Sequence, residues 1–504
     1  MKKTLLLLLI LLIGASAFAQ QQDTIISTIS DTVAVADSLS SISVNNATTE
    51  VVSSQNSGAG SVAMSILKQK TFQFNIGSIL RGLLGIIVIM FIAWCFSANR
   101  KAINWGTVLK ALALQFLIAI SLLLFPIVQD FFEIFGKCFV AVLDWTNAGT
   151  EFLFGSLLDT SRFGFIFVFN ILPTIIFFSA LTSLLYYWGI LQKIVWAMGW
   201  VLTKLMNLSG AESLSCAGNI FLGQTESPLM VKEYIPTMTK SELMLIMTSG
   251  MATMAGGVLA AYIGMLGCGD KILSVEFAKH LLSASVMAAP GAIVMAKILW
   301  PQTEEIDDSV KVSKEKVGKN VLDAISNGTT DGLKLAANVA AMLLVFYALI
   351  AGFDYIVGKI GYITGLNGVI AEATNGVYSA LSLKFILAYT FYPVIWLIGV
   401  PTPDLHLVGR LLGEKLIMTE FVGYGSLSSM IQSNVFSSSK SIIMSTYVLC
   451  GFANFASIGI LIGGVGGMAP NKKAILSQMG MRALLGASFV ALISAAMVGM
   501  FIVG

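Results

Sequence analysis

Continuous apolar runs dominate the chain, and the polar stretches between them carry most of its charge. A helix needs about 20 apolar residues to cross the hydrocarbon core of a bilayer. The runs lack the two-residue alternation of a membrane β-barrel, so the spanning elements are predicted to be α-helices. The pattern predicts about eight transmembrane helices. They cover residues 79–97, 111–128, 163–188, 243–268, 281–300, 335–353, 442–464 and 483–503.

Two segments of mixed polarity are predicted to enter the membrane and return on the same side. The first hairpin, residues 207–236, follows Lys204 and ends near Lys232 and Lys240, and positive charge marks the cytoplasmic side at both ends. The second hairpin, residues 401–438, takes the same place in the second half. An interrupted span follows each hairpin, so the two halves are predicted to be an inverted repeat.

The interrupted span of the first half, residues 243–268, holds small and polar residues at its centre. Thr248–Gly250, Thr253 and Gly256–Gly257 are the candidates for an unwound middle. Irregular backbone at membrane depth is tolerated where protein or a cavity surrounds it. A broken helix that helps to line a binding site is therefore predicted here.

The first hairpin contains the sequence Gly223–Leu229, GQTESPL, in an otherwise apolar setting. A buried carboxylate or amide is costly unless it is satisfied, so the Gln-Thr-Glu run predicts a site for a polar solute or an ion. Pro228 interrupts helical hydrogen bonding, which predicts two half-helices that meet at a tip. Glu226 and its counterpart Glu420 in the second hairpin are expected to share one pocket. The alternative is a structural ion pair inside the bundle.

Composition agrees with a polytopic membrane protein, because 56% of the 504 residues are hydrophobic and 11% are charged. The mean hydropathy is +0.84. A net charge of +3 does not indicate a nucleic-acid partner. The five cysteines form no CxxC pair, and neither of the two histidines belongs to a metal or triad motif, so no zinc site, disulfide framework or hydrolytic centre is predicted.

The N-terminus has the form of a secretory signal peptide over residues 1–19, with Lys2 and Lys3 before an apolar run and Ala17–Ala19 as the cleavage site. The alternative is an uncleaved first membrane helix. Residues 20–75 are predicted to be a disordered periplasmic tail. Arg100 and Lys101 follow directly after the next predicted span, residues 79–97. Positive charge there places the C-terminal end of this span in the cytoplasm.

Several motifs, in order, resemble the concentrative nucleoside transporter family. They are Gly223–Leu229, Met238–Leu243, Asn320–Asn338, Gly413–Tyr424 and the stretch from Cys450 to Pro470. The resemblance implies a homotrimer with an elevator-type alternating-access mechanism. It also implies a domain plan: scaffold helices in 76–188, one half of the transport domain in 189–300, a cytoplasmic loop and long scaffold helix in 301–360, and the other half in 361–504.

The resemblance also implies a binding site. The nucleobase would be bound by Gln224, Thr225, Glu226, Val258 and Phe452, and the ribose by Glu420, Asn454 and Ser457. Sodium would be bound by oxygens of Asn219, Leu222, Thr253 and Met254, although some relatives use protons. A carboxylate can accept from two vicinal hydroxyls, and amide and hydroxyl groups can both donate and accept, which suits a nucleoside.

Simpler interpretations remain for three of these residues. Asn454 and Ser457 could join helices through hydrogen bonds, and Phe452 could be ordinary packing. The sequence also departs from the usual family pattern at Ser227, Thr419 and Gly423. Thr419 precedes the ribose carboxylate, so substrate range is where a difference is expected.

The predicted function is cation-coupled import of nucleosides across a bacterial inner membrane, with no cofactor beyond the coupling ion and with lipid as the surrounding partner. A nucleoside-binding sensor or a passive channel on the same fold is the alternative. An intramembrane enzyme is a third possibility, but the sequence offers no activated nucleophile or metal cluster for it.

Overall fold

The computed structural model describes residues 75–163, 166–307 and 318–502, and over these ranges it is all-helical. Seven helices in this part of the chain are long and apolar enough to cross a membrane. They confirm the predicted all-α polytopic fold. The predicted signal peptide, and the tail except for its last residue, lie outside the described residues.

The span predicted at 442–464 is the one that has no long helix. It consists of the shorter helices Ser439–Val448 and Phe455–Met468. Both are too short to cross a bilayer alone, since a spanning helix needs about 20 residues. The other predicted spans correspond to Ile76–Cys95, Trp105–Leu122, Phe167–Tyr187, Lys240–Gly267, Lys271–Leu299, Val321–Ile363 and Pro470–Gly499.

The first helices follow their local signals closely. Asn75 and Asn104 cap α1 (Ile76–Cys95) and α2 (Trp105–Leu124) through backbone amides at their first turns. Proline opens α3 (Pro126–Phe154). The mixed charge and many aromatic residues of Asp130–Asp159 predict an outer interfacial helix and loop in this region. Two single helical turns then precede α4 (Leu172–Tyr187).

The first half of the predicted repeat begins with α5 (Ile190–Met206). Its lysines and tryptophans predict a helix along the cytoplasmic interface over the same residues. The first hairpin starts with α6 (Gly210–Gly218), which opens on a capping box between Ser209 and Glu212. The second arm is not the predicted half-helix. It consists of two 3-10 turns, Ser227–Val231 and Ile235–Thr237, because Pro228 and Pro236 remove backbone donors that an α-helix would need.

The predicted broken helix is present as α7 (Lys240–Ala252) and α8 (Gly256–Gly267), and α9 (Lys271–Leu299) follows it. The break is narrower than predicted, because Thr248–Gly250 and Gly256–Gly257 are both helical. Ser249 explains the helical conformation of Thr248–Gly250, since its hydroxyl donates to the Ile246 carbonyl and so remains satisfied inside the helix.

A single helix, α10 (Val321–Ile363), replaces the span predicted at 335–353 and extends beyond both of its ends. Part of the predicted cytoplasmic segment is therefore helical. Asn320 caps this earlier start by accepting from the Asp323 amide. The helix packs against α4, where Gly328 and Gly332 allow close backbone approach.

The second half repeats the order of the first. Helices α11 (Leu366–Ala373), α12 (Leu383–Thr390) and α13 (Tyr392–Leu397) lead into the second hairpin. Its arms are α14 (Leu405–Ile417) and α15 (Glu420–Gln432), and the second broken helix is α16 (Ser439–Val448) with α17 (Phe455–Met468). The chain then continues into α18 (Lys473–Gly499).

Burial separates an inner group of helices from an outer one. In the apolar core of each span, 89% of the residues are buried for α7–α8 and for α9, against 6% for α10. The inner group also includes most of α18. The first break therefore lies in one of the most buried spans, and α16, which precedes the second break, is buried over nearly its whole length.

Candidate functional site

The two helix breaks lie directly against each other. Gly451, in the second break, has φ of +87°. A Cβ atom at this position would lie 2.4 Å from the Ala252 carbonyl oxygen, at the end of α7. The residues that follow each break are thereby brought into one region.

A line of hydrogen bonds connects side chains from both halves. Tyr262 on α8 donates its hydroxyl to Glu420 Oε1 over 3.0 Å, and Asn454 Nδ2 donates to Oε2 over 2.8 Å. Asn454 Oδ1 caps α17 by accepting from the Ser457 amide at 2.9 Å. Gln224 Nε2 of the first hairpin then donates to Ser457 Oγ at 3.4 Å. All five residues are buried.

The three residues of the first hairpin motif have different surroundings. Gln224 is buried, and its Oε1 has no hydrogen-bond partner among the described residues. Thr225 packs against Gly464, because the Cγ2 atom of Thr225 lies 2.6 Å from the position that a Cβ atom at residue 464 would occupy. Glu226 is exposed and accepts from the Gly223 amide at 3.1 Å. It therefore lies outside the buried network that contains Glu420.

Two further residues assigned to the nucleobase lie in or next to the two breaks. Val258 is buried in the first turn of α8. Phe452 lies within the second break and is half-buried. Both are placed so that an apolar surface adjoins the polar network, while the packing role of Phe452 stays an open alternative.

The alternative of a structural ion pair for the two hairpin carboxylates has no support among the described residues. Neither Glu226 nor Glu420 forms an ion pair within the described ranges. The buried ion pairs lie elsewhere, between Lys297 and Glu212 at 2.7 Å and between Arg410 and Glu414 at 2.7 Å.

The residues predicted to bind sodium surround the first break. Asn219 ends α6, and its Nδ2 donates to Ser249 Oγ over 3.0 Å. Thr253 Oγ1 donates to the Ser249 carbonyl at 2.8 Å. In the described part of the chain, no donor reaches the backbone carbonyls of Leu222, Thr253 and Met254, and Asn219 Oδ1 has no partner either. Buried oxygens of this kind are the ligands that hard cations prefer.

The residues that depart from the family pattern have identifiable contacts. Ser227 Oγ donates to the Ser215 carbonyl and ties the two arms of the first hairpin together. Gly423 leaves room for Leu449. Thr419 has a buried hydroxyl without a partner among the described residues, directly before Glu420. Of the three residues, Thr419 is therefore the one whose side chain has an unused hydrogen-bonding group.

Three family models match consecutive parts of the chain. "Na+ dependent nucleoside transporter N-terminus" matches residues 84–157, "Nucleoside recognition" matches 168–269, and "Na+ dependent nucleoside transporter C-terminus" matches 280–499. The "Nucleoside permease NupC" of Helicobacter pylori is 36% identical over 432 residues, which cover 84% of this chain and 98% of the permease. The chain belongs to the concentrative nucleoside transporter family.

Other members of this transporter family match over most of the chain. An "Uncharacterized transporter" of Haemophilus influenzae is 40% identical over 430 residues, 84% of this chain and 98% of the relative. The solved structure of CNTnw "in an inward-facing substrate-bound state" is 36% identical with a TM-score of 0.76, and covers 84% of this chain and 98% of that one. A variant of CNTnw in an outward-facing state has a TM-score of 0.77 at the same identity and coverage.

Tyr262 is the network residue that sequence reasoning missed. It lies in the apolar run of α8, where a tyrosine is ordinarily interpreted as a packing residue. The available signal was its spacing, because it follows Val258 by four residues and so shares a helix face with it. Contact with Glu420, which is 158 positions away, could not be inferred from that spacing.

Replacing Tyr262 by phenylalanine is expected to weaken ribonucleoside binding by about 10- to 100-fold, since one hydrogen bond to a charged group is lost. The measurement is the Kd by calorimetry on purified protein. Tyr424→Phe is the matched control, because Tyr424 stacks on Tyr262 but donates to the Thr446 carbonyl instead. Equal Kd values for both variants would contradict a role of Tyr262 through Glu420.

Proposed function

We propose that this chain is a secondary active symporter that imports nucleosides, with sodium as the coupling ion and alternating access of the elevator type. The observation that supports this most is the buried carboxylate of Glu420. Tyr262 and Asn454 orient it, and Ser457 links Asn454 to Gln224 on the other half.

Ribose recognition follows from the remaining acceptor capacity of Glu420. An ionised carboxylate offers about four lone-pair sites, and two are used by Tyr262 and Asn454. The other two can accept from vicinal ribose hydroxyls. Ser457 completes the ribose side, because its hydroxyl can both donate and accept.

Nucleobase recognition is assigned to the first hairpin and the apolar residues beside it. The free Oε1 of Gln224 can accept from an exocyclic amino group. Thr225 and Glu226 supply a hydroxyl and a second acceptor, and Val258 and Phe452 supply apolar contact to the ring. The exposed position of Glu226 leaves its carboxylate available to a ligand that enters from the solvent.

Sodium coupling is assigned to the oxygens of Asn219, Leu222, Thr253 and Met254. Movement of one charge through the membrane potential supplies about 2.3 kcal/mol per 100 mV, and a tenfold sodium gradient adds about 1.4 kcal/mol. Together they support accumulation of about 500-fold. Protons are the alternative coupling ion.

Uptake by proteoliposomes tests the function. Radiolabelled uridine and adenosine are supplied with an inward sodium gradient, with choline in place of sodium, and with a proton gradient alone. Accumulation that depends on sodium is expected. Nucleoside binding in calorimetry without accumulation would instead indicate a sensor, and equilibration without accumulation would indicate a passive channel.

Replacing Thr253 by alanine is expected to raise the sodium concentration for half-maximal uptake by about tenfold, because one oxygen of the proposed cation site is lost. Maximal uptake at saturating sodium should change little. Thr248→Ala is the control, since Thr248 is also buried on α7 but is not in the proposed set. The same sodium dependence in both variants would remove Thr253 from the ligand set.

We also propose a homotrimer in a bacterial inner membrane, with the mature N-terminus in the periplasm. The support for this orientation is the basic pair Arg100–Lys101 directly after α1. The outer helices, above all α10, expose apolar side chains that lipid or neighbouring subunits can cover.

A further inference from the structure

A lysine is buried completely within the second hairpin. Lys415 lies near the end of α14 and has no exposed surface. Its Nζ donates to two backbone carbonyls at the second break, to Val448 over 3.1 Å and to Cys450 over 2.5 Å. The first of these residues ends α16, and the second belongs to the segment that connects α16 with α17.

Burial of an ammonium group is costly unless opposite charge and acceptors compensate it. The C-terminal end of a helix carries partial negative charge on its unpaired carbonyls, so the end of α16 supplies part of this compensation. Lys415 lies five residues before Glu420 in the chain, across the turn that joins α14 to α15. The lysine therefore links the hairpin arm next to Glu420 with the second break.

At the end of α7, the corresponding position in the first half, no lysine or arginine among the described residues donates to the backbone carbonyls. There α6 is the first arm of the hairpin and α7 the first piece of the broken helix, as α14 and α16 are in the second half. At the end of α7, no donor in the described part of the chain reaches the carbonyls of Thr253 and Met254. Among the described residues, the first break thus has carbonyl oxygens without a donor. At the second break, the ammonium group of Lys415 donates to the carbonyls.

We propose that Lys415 is a built-in cation of the second half, at the position that corresponds to the proposed sodium site of the first half. Lys415 is a positioning residue. Its hydrogen bonds to Val448 and Cys450 hold the segment that connects α16 with α17, and this segment places Asn454 so that it orients Glu420 toward the ribose. This inference rests on the proposed function, because it concerns the same binding site.

Lys415→Met tests the proposal, since it keeps an unbranched side chain only one atom shorter and removes the charge and the donors. The Kd for uridine should rise by at least about tenfold, because two buried carbonyls lose their partner and the segment relaxes. The Kd for 2′,3′-dideoxyuridine, which lacks the hydroxyls assigned to Glu420, should change less than threefold. A lysine that only stabilised the fold would affect both ligands equally.

Lys440→Met is the matched control. Lys440 is a buried lysine at the opposite end of α16, and its Nζ donates to Ser78 Oγ at 3.3 Å. Both Kd values should stay at the wild-type level in this variant. An unchanged uridine Kd in Lys415→Met, or equal losses for both ligands, would overturn the proposal. If Lys415→Met is not recovered folded, Lys415→Gln, which lacks the charge, is measured by the same criteria.

Alkylation of cysteine separates this inference from the proposed function. Cys450 and Cys216 are both free and buried. In Lys415→Met, the rate of maleimide labelling at Cys450, read by mass spectrometry, should rise at least about fivefold while Cys216 stays at the wild-type rate. If the wild-type protein binds no nucleoside, the proposed function fails, and labelling still decides whether Lys415 holds the second break. Equal labelling at Cys450 in variant and wild type would overturn that role.

Discussion

Replacing Glu420 by glutamine is expected to abolish ribonucleoside uptake, with binding weakened by about 100-fold or more. The carboxylate accepts from Tyr262 on one oxygen and from Asn454 on the other. An amide presents an NH2 group in place of one of these acceptors, so it opposes a donor and loses the charge-assisted bonds to ribose hydroxyls. Uridine uptake into proteoliposomes and the uridine Kd are the measurements.

Glu242→Gln is the control for this substitution. Glu242 is a buried carboxylate too, but it closes the capping box of α7 with Thr239, and glutamine preserves such a box. Uptake close to the wild-type level is expected for the control. Near-normal uptake by Glu420→Gln would show that the ribose is bound elsewhere.

Replacing Gly451 by alanine is expected to abolish transport by destabilising the crossing of the two breaks. A left-handed conformation costs a residue with a Cβ about 1–2 kcal/mol, and Gly451 has φ of +87°. The added methyl group would also lie 2.4 Å from the Ala252 carbonyl oxygen, and backbone cannot move aside as a side chain can. A loss of about 3 kcal/mol or more in the free energy of unfolding is expected.

The measurements for Gly451→Ala are the Tm in detergent and uridine uptake. Gly459→Ala is the matched control, because Gly459 lies in α17, a few residues along the chain, with open space where a Cβ would be. Alanine in a helix interior is favourable by about 0.5–1 kcal/mol, so the control should be at least as stable as wild type. A Gly451→Ala protein with normal Tm and uptake would show that the breaks separate easily.

Local sequence signals predicted the elements that depend on local properties. The helix Ile190–Met206 was predicted with the same first and last residues as in the structure. Its tryptophans and lysines form a local pattern that does not depend on distant segments. Most of the spans were located for the same reason, since hydropathy over about 20 residues decides whether a helix can cross a membrane.

Features that depend on contacts between distant segments were predicted less well. Thr248–Gly250 has the composition of a break, yet it is helical because Ser249 is satisfied within α7 and by Asn219. The length of α10 was underestimated, because its polar N-terminal part packs on α4 through small residues rather than through apolar periodicity.

The candidate site shows the same division. The motif residues Gln224, Glu420, Asn454 and Ser457 were identified from sequence, and the structure places them in one network. Their roles toward a nucleoside stay predictions. For Tyr262 the sequence offered only its spacing from Val258, and for Lys415 only its place in the motif Gly413–Tyr424. Their roles were not identified, because their partners Glu420, Val448 and Cys450 lie on other elements.

The sequence by itself determined that the chain is helical, that it belongs in a membrane, and that polar groups interrupt two buried segments, because hydropathy, charge and proline act on their immediate neighbours. Only the tertiary structure decided that the two breaks cross at Gly451, that Tyr262 and Asn454 share Glu420, and that Lys415 binds the end of α16. Close packing sets these relations, and a hydrogen bond depends on distances of a few tenths of an ångström that no local pattern encodes.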